Sequence, residues 1–327
     1  MSEARPFASQ TGKSPSEKKR VTLRDVAEEA GVSLKTASNV INHTGRMTDA
    51  TREKVQKVVD RLGYRINVSA RNLNRGRTGF ITLAVPCLTA PYLAGLANRV
   101  IDIARIYDYS VYVTTYAEGT SRGAASLLRN FNATVSDGMI LSLSEMEDLT
   151  PEDLSVDYPL VCVGARFTHY KADHVTPDDV QSARLATEYL LDRGVSRPAV
   201  VGSRTDFAQL STLRDVTEGN AQLRMRGVFE ACCDRNIALA TELMPNVGHD
   251  WSIGSGARNM QRIIDSGVPF DGVIALNDQL AMGALSTLAA NGISVPDQVQ
   301  VIGFDNNEES AYFQPPLTTM DSCLDWI

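Results

Sequence analysis

The segment from Ser33 to Asn39 carries side chains whose types match the hydrogen-bonding groups on DNA base edges. Lys35 can donate to guanine acceptors, Asn39 can pair through two hydrogen bonds with adenine, and Leu34 can contact a thymine methyl group. Such contacts require a short, well-supported helix that enters a major groove about 12 Å wide. The segment therefore predicts a helix that reads base pairs.

Other residues nearby suit the sugar–phosphate backbone better than the bases. Four of them carry hydroxyl or guanidinium groups: Ser33, Thr36, Arg46 and Thr48. Contacts with phosphates position a protein on the duplex without reading its sequence. We therefore expect these four residues to orient the reading helix.

Capping signals place the reading helix within a group of three short helices. Thr22 precedes the amphipathic stretch LRDVAEEA, which ends at Gly31, and Ser33 precedes LKTASNVIN. Thr48 precedes a third amphipathic stretch, which ends at Gly63. Ser and Thr favour helix N-caps, and Gly accepts the positive φ that often follows a helix. Two short helices joined by a glycine turn predict a helix-turn-helix unit, and a three-helix bundle with an ordinary polar face is the alternative.

The net charge of the chain is unevenly distributed. The whole chain carries a net charge of -7, but residues 1–77 hold 16 Lys and Arg against 8 Asp and Glu. This region therefore has a charge of +8, which leaves -15 for the rest of the chain. A basic region on an acidic body indicates that the basic region alone meets a polyanion, although short segments also scatter in charge.

From residue 79 onward, short apolar runs alternate with amphipathic helical stretches. This alternation predicts parallel sheets joined by right-handed crossovers. The predicted strands form two groups of four: 79–86, 110–116, 137–143 and 159–165, then 198–203, 242–247, 272–278 and 299–305. The predicted body is therefore an α/β fold of two doubly wound parallel-sheet lobes, with a ligand bound between them beyond the carboxyl ends of the strands.

Three consecutive segments resemble the head and hinge of the lac/gal repressor (LacI/GalR) family: VTLRDVAEEAGVSLKTASNVIN, TREKVQKVVDRLGY and NVSARNLNRGRTG. The resemblance implies a hinge helix over residues 67–74 that orders on DNA, with Leu73 as a wedge in the minor groove. An exposed leucine among arginines and asparagines fits an apolar wedge flanked by phosphate ligands. Packing of Leu73 on the body is the alternative.

The resemblance continues through the body and implies the fold of periplasmic sugar-binding proteins. We expect a disordered tail at 1–20, an all-α helix-turn-helix DNA-binding domain at 21–66, a hinge helix and linker at 67–78, and a two-lobed ligand-binding domain at 79–327. Relatives continue through a further helix and strand after the position of DSCLDWI, so we expect these two elements to be missing from the last domain.

Four residues of the body match ligand-contact positions of the family. Tyr92 and Trp251 would place aromatic rings on the ligand, Arg224 would hydrogen-bond its oxygens, and Asp278 would accept from hydroxyl or amino groups. These types suit a polyol, because Arg and a carboxylate clamp adjacent hydroxyls while aromatic faces cover the C–H side of a sugar ring. The two aromatic residues could instead belong to the core, and Arg224 and Asp278 could pair with other charges.

The sequence departs from the family at three positions. Asn39 stands where the family usually has Arg, so the preferred operator base differs. Ile66 replaces the usual Pro before the hinge. Ala90 stands where the family usually has Asn, and this weakens the case for a sugar.

The sequence has no motif of a catalytic, metal or cofactor site. HExxH and P-loop patterns are absent, the four histidines form no ligand cluster, and GSGAR at 254–258 does not follow a strand. The five cysteines lack CxxC spacing, which is typical of reduced thiols in the cytoplasm. The uncharged stretch 78–98 contains two prolines and fits a strand, a loop and a helix start better than a membrane span. We therefore expect a cytoplasmic protein that is not an enzyme and needs no cofactor.

Together these observations predict a transcriptional repressor that binds a pseudo-palindromic double-stranded DNA operator as a homodimer. A small molecule, expected to be a carbohydrate, would control operator affinity from the cleft between the lobes. A solute-binding protein is one alternative, but it would need an export signal and would lack residues 21–77. A truncated regulator that binds DNA without sensing ligand is the other.

Overall fold

The computed structural model describes residues 21–42, 44–65, 77–120, 122–204 and 210–324. The chain divides into two compact units, which we call the head (up to Arg77) and the body (from Thr78). Among the described residues, no helix combines the length and the apolar character needed to cross a lipid bilayer.

The described part of the head contains three helices: α1 (Leu23–Glu29), α2 (Leu34–Ile41) and α3 (Asp49–Leu62). The predicted caps are present, because Thr22, Ser33 and Thr48 each accept a hydrogen bond from the backbone N–H three residues later. The helices pack around a small apolar core of Val26, Ala30, Val40, Val55 and Val58. The helix-turn-helix prediction is confirmed.

The N-terminal lobe of the body is a parallel sheet with its connecting helices. Its elements are β1 (Phe80–Val85), α4 (Pro91–Ile106), β2 (Ser110–Thr115), α5 (Ala124–Arg129), β3 (Met139–Ser142), α6 (Pro151–Leu154), β4 (Leu160–Val163) and β5 (Asp173–Val175). The strands lie in the order β2-β1-β3-β4-β5, and all neighbours are parallel. The order reverses between β1 and β3, which is where doubly wound sheets bind ligands.

The C-terminal lobe is a second parallel sheet covered on both faces. Its elements are α7 (Asp179–Asp192), β6 (Pro198–Val201), α8 (Asn220–Asp234), α9 (Ile253–Asp265), β7 (Gly272–Ala275), α10 (Asp278–Ala290), β8 (Gln300–Asp305) and β9 (Thr318–Asp321). The order is β6-β7-β8-β9. Helices α7 and α8 pack with one apolar cluster and α9 and α10 with another, so β6 and β7 are buried along their whole length. The prediction of two doubly wound lobes is confirmed.

The strand assignments differ from the prediction at three places. The predicted strand at 242–247 is wrong, because Thr241–Leu243 forms a 3-10 turn and Met244 to Val247 adopts no regular structure. The strands Asp173–Val175 and Thr318–Asp321 were not predicted. Both are short and partly polar and lie at sheet edges, so they lack the apolar run by which buried parallel strands are found.

Helices α9 and α10 approach each other closely at two glycines. A Cβ atom on Gly283 would lie 2.1 Å from the carbonyl oxygen of Ile253, and one on Gly256 would lie 2.3 Å from that of Leu280. Backbone atoms cannot move aside as a flexible side chain does. The packing of the two helices therefore requires glycine at both positions.

We predict that Gly283→Ala lowers the free energy of unfolding by about 2 kcal/mol, because the added methyl group forces the helices apart. Gly254→Ala is the control, since a Cβ there would meet only the ends of the flexible Arg258 side chain and of Ser252. Alanine also favours the helix over glycine, so the control should keep or slightly gain stability. Urea unfolding measures both; equal losses in the two variants would contradict the close approach.

Candidate functional site

The first part of α2 presents an exposed surface on the head. Leu34 is 48% exposed and Lys35 is also exposed, whereas Ala37 and Val40 are buried on the opposite side of the helix. Because Ala37 and Val40 are buried in the head, the side chains of the first turn of α2 face the solvent. The helix can therefore present Leu34 and Lys35 to a groove without losing its contacts with the head.

Asn39 lies further along α2, against the turn that follows the helix. A Cβ on Gly45 would lie 2.9 Å from the Asn39 Nδ2 atom, and Gly45 has a φ of +79°. A glycine here leaves room for the Asn39 amide and permits the left-handed turn. Asn39 is thus partly buried and its side chain is confined between the helix and the turn.

The residues predicted to bind phosphates lie at helix starts. The Ser33 hydroxyl lies 2.8 Å from the Thr36 hydroxyl, and the Thr48 hydroxyl lies 2.8 Å from that of Thr51. Arg46 is exposed in the turn before α3. Leu73, the predicted minor-groove wedge, lies outside the described residues.

The body contains a cavity of about 510 Å³ between its two lobes. The carboxyl ends of strands from both sheets open into it, as expected for doubly wound sheets. The residues that contribute polar or aromatic groups include Tyr92, Glu118, Glu145, Arg204, Arg224, Trp251, Asn277, Gln279 and Asp305. Tyr92, Arg224 and Trp251, three of the four predicted ligand contacts, all line this cavity.

Arg224 projects from α8 and is almost completely buried. Its Nε donates to Asp179 at 2.7 Å, and its Nη1 donates to the carbonyl oxygen of Leu276 at 2.5 Å. The same Nη1 lies 3.9 Å from the Asp305 carboxylate. Burial disfavours the guanidinium charge, but Asp179 and Asp305 outweigh this effect and raise the pKa of Arg224. Arg224 is thus held in one orientation at the wall of the cavity.

The two predicted aromatic residues line the cavity from different lobes. Tyr92 lies in the first turn of α4, and burial raises its pKa to about 12. Trp251 packs partly on the apolar core of the C-terminal lobe, and its Nε1 donates to the carbonyl oxygen of Gly202 at 3.1 Å. Trp251 is therefore both a core residue and a cavity residue, a combination that we did not predict.

The structure corrects the prediction for Asp278, which does not line the cavity. Asp278 is fully buried at the start of α10, where its carboxylate accepts from the Asn307 N–H at 2.8 Å and the hydroxyls of Ser310 and Thr319 at 2.9 and 2.6 Å. Three donors from the segment 307–319 occupy its oxygens. Asp278 therefore ties this segment to α10, while its neighbours Asn277 and Gln279 face the cavity.

Sequence reasoning missed the carboxylates that line the cavity, and Asp305 is the one that lies 3.9 Å from Arg224. It ends β8 with a φ of +108° and accepts a hydrogen bond from the Ser322 hydroxyl at 3.2 Å. Burial raises the pKa of Asp305 to about 7, although the Arg224 charge opposes this shift. The signal was present, since an acidic residue follows an apolar parallel strand. Asp278 follows the preceding strand, β7, in the same way, and we predicted Asp278 as the ligand-binding carboxylate instead.

Two family models match the chain. The model of bacterial regulatory proteins of the lacI family matches residues 22–67, and that of the periplasmic binding protein-like domain matches residues 187–324. The HTH-type transcriptional repressor PurR of Vibrio parahaemolyticus is 31% identical over 316 residues, covering 91% of this chain and 86% of the relative.

Solved structures agree with these matches. A LacI-type transcription regulator from Bifidobacterium animalis subsp. lactis is 34% identical, with a TM-score of 0.70 over 76% of this chain and 86% of that one. The transcriptional regulator CelR in complex with cellobiose is 25% identical, with a TM-score of 0.64 over 94% of this chain and 89% of that one. Sequence and structure agree along both units, and the chain belongs to the LacI family of DNA-binding transcription regulators.

Proposed function

We propose that this protein is a repressor that binds a pseudo-palindromic operator as a homodimer and responds to a sugar bound between the lobes of its body. The observation that carries the proposal is the combination of an exposed reading surface on α2 with an interlobe cavity of about 510 Å³. A body alone would suit a solute-binding protein, whereas the capped helix-turn-helix supplies the means to read DNA.

Base reading is assigned to Leu34, Lys35 and Asn39. The first two are exposed at the start of α2, which is the part of a recognition helix that reaches base edges. Ser33, Thr36, Arg46 and Thr48 are assigned to phosphates, since the first two lie at the start of α2 and the other two lie just before α3. Leu73 is proposed as the minor-groove wedge on the family resemblance alone.

The lining of the cavity supports a sugar as the effector. Tyr92 and Trp251 offer aromatic surface for the C–H face of a pyranose, and Asp305 offers carboxylate oxygens to its hydroxyls. The structural relative CelR is seen with cellobiose, which is a sugar. The cavity volume also falls in the range usual for small-molecule sites, roughly 300 to 1,000 Å³.

A ligand in this cavity touches both lobes and so favours one interlobe arrangement over others. It can change operator affinity only by its difference in affinity for those arrangements, about 1–3 kcal/mol in typical allosteric proteins. We propose that residues 67–78 transmit this difference to the head.

The reading role of Asn39 is tested on an operator selected in vitro from random duplexes. Asn39→Ala should weaken specific binding by about 1–3 kcal/mol, because the adenine edge loses its partner, and should leave binding to random DNA unchanged. Fluorescence anisotropy at fixed salt measures both. Gln56→Ala, an exposed change on α3, is the control and should alter neither. Failure to select any preferred duplex would reject the operator proposal itself.

The effector role of Tyr92 is tested with a sugar that raises the melting temperature in a thermal-shift screen. Tyr92→Ala should weaken binding of that sugar at least about tenfold, because the sugar ring loses the aromatic side chain that packs on it. Operator affinity without sugar should be unchanged. Tyr170→Ala is the control, since Tyr170 is 91% exposed and lies outside the cavity. Unchanged sugar affinity in Tyr92→Ala would remove this residue from the site.

The raised pKa of Asp305 predicts a pH dependence of stability. Its pKa of about 7 exceeds that of an aspartate in an unfolded chain, so the folded protein binds the proton more tightly. The resulting stabilisation is present below about pH 4 and is lost as the pH rises through about 7. Relative to Asp305→Asn, the wild type should therefore lose stability between about pH 4 and pH 7 in urea unfolding. A constant difference between the two proteins over this range would contradict the assignment.

A further inference from the structure

A buried ion pair joins the two lobes inside the cavity. Glu145 follows β3 in the N-terminal lobe, Arg204 follows β6 in the C-terminal lobe, and the two side chains are hydrogen-bonded. Only 7% of the Glu145 side chain and 13% of the Arg204 side chain are exposed. Both residues line the cavity. A ligand that enters the cavity therefore meets an ion pair with little access to water. If the pair is broken, water cannot readily take the place of either partner.

The Glu145 carboxylate has a second partner at the start of α8. Its Oε1 accepts from the backbone N–H of Ala221 at 2.7 Å, in the first turn of this 15-residue helix. Helix starts attract anions because their N–H groups lack partners within the helix and carry a partial positive charge. A guanidinium group and a helix start thus converge on one carboxylate. This is the donor set of a phosphate site, filled by a side chain of the protein.

The surroundings of Arg204 show how much its charge depends on that carboxylate. Its guanidinium lies 4.4 Å from the centre of the Trp251 ring, and its Nε is buried without a hydrogen-bond partner among the described residues. Burial lowers the pKa of Arg204, and Glu145 opposes this effect most strongly.

The other guanidinium in the described cavity lining is also neutralised, since Arg224 pairs with Asp179. Glu118 and Asp305 add further acidic groups to the lining. An incoming phosphate would have to displace Glu145 from Arg204 and Ala221. That displacement would leave a carboxylate buried without its partners, which is strongly unfavourable.

We propose that Glu145 acts as a resident anion that sets the specificity of the cavity, which accepts an uncharged polyol and rejects its phosphorylated form. The inference rests on the proposed function, in that it takes the cavity as the effector site. It assigns Glu145 and Arg204 as specificity-determining residues.

Removal of the resident anion should create a phosphate site. Calorimetric titration of the full chain with inorganic phosphate should show Glu145→Ala binding at least about tenfold more tightly than the wild type. Its melting temperature should also rise with phosphate concentration, because a ligand that binds the folded state stabilises it. Glu145→Gln keeps the side-chain volume and should gain in the same direction by a smaller factor. Glucose 6-phosphate should show the same order of affinities.

Two controls locate the effect. Glu118→Gln removes a negative charge from the same cavity but leaves Glu145 in place, so it should not gain phosphate affinity. The double variant Glu145→Ala, Arg204→Ala should lose the gain, because the guanidinium is gone; this also separates the cavity from phosphate bound on the basic head.

Three results would overturn the inference. The first is that neither Glu145 variant gains phosphate affinity. The second is that the gain persists when Arg204 is also replaced. The third is that the wild type binds glucose 6-phosphate as tightly as Glu145→Ala does, in a manner that depends on Arg204. Operator selection with the same preparations keeps the two proposals apart. Loss of sequence-specific DNA binding would reject the proposed function while the phosphate titrations still decide the role of Glu145.

Discussion

The buried pairing of Arg224 with Asp179 is the interaction on which the interlobe cavity depends. It joins α8 to the start of α7, and the same guanidinium reaches the carbonyl oxygen of Leu276 at the end of β7. A buried charge that loses its partner costs about 3–5 kcal/mol, so these three elements are held in one arrangement. The carboxylate of Asp305 and the ring of Trp251 are positioned around this fixed cation.

Charge neutralisation within the protein is the basis of the proposed specificity of the cavity. Both guanidinium groups of the described lining have carboxylate partners of their own, one within the C-terminal lobe and one across the lobes. The two guanidinium groups can therefore offer a ligand directional hydrogen bonds but no net positive charge. Because the Glu145–Arg204 pair spans the lobes, the proposed specificity and the proposed regulation both involve the same interaction.

Much of this could be predicted from sequence because the strongest signals are local. Ser33 and Gly31 mark the turn between two short helices, and apolar runs such as those at Val200 and Ile274 mark fully buried strands. The residues of the candidate site were harder to predict, because the site is assembled from loops that are distant in sequence. Asp278 and Asp305 both follow apolar strands, and only the three donors around Asp278 show that it is structural. The partners of Glu145 likewise lie 59 and 76 residues away, beyond the reach of any spacing rule.

The central claim is that occupancy of the interlobe cavity controls how tightly the head binds its operator. The most direct test is the operator affinity of the full chain, measured by anisotropy with and without a saturating sugar that thermal shift shows to bind. The account predicts a change of about 5- to 150-fold on the selected operator, with none on random DNA. Identical operator affinities with the cavity empty and occupied would contradict it.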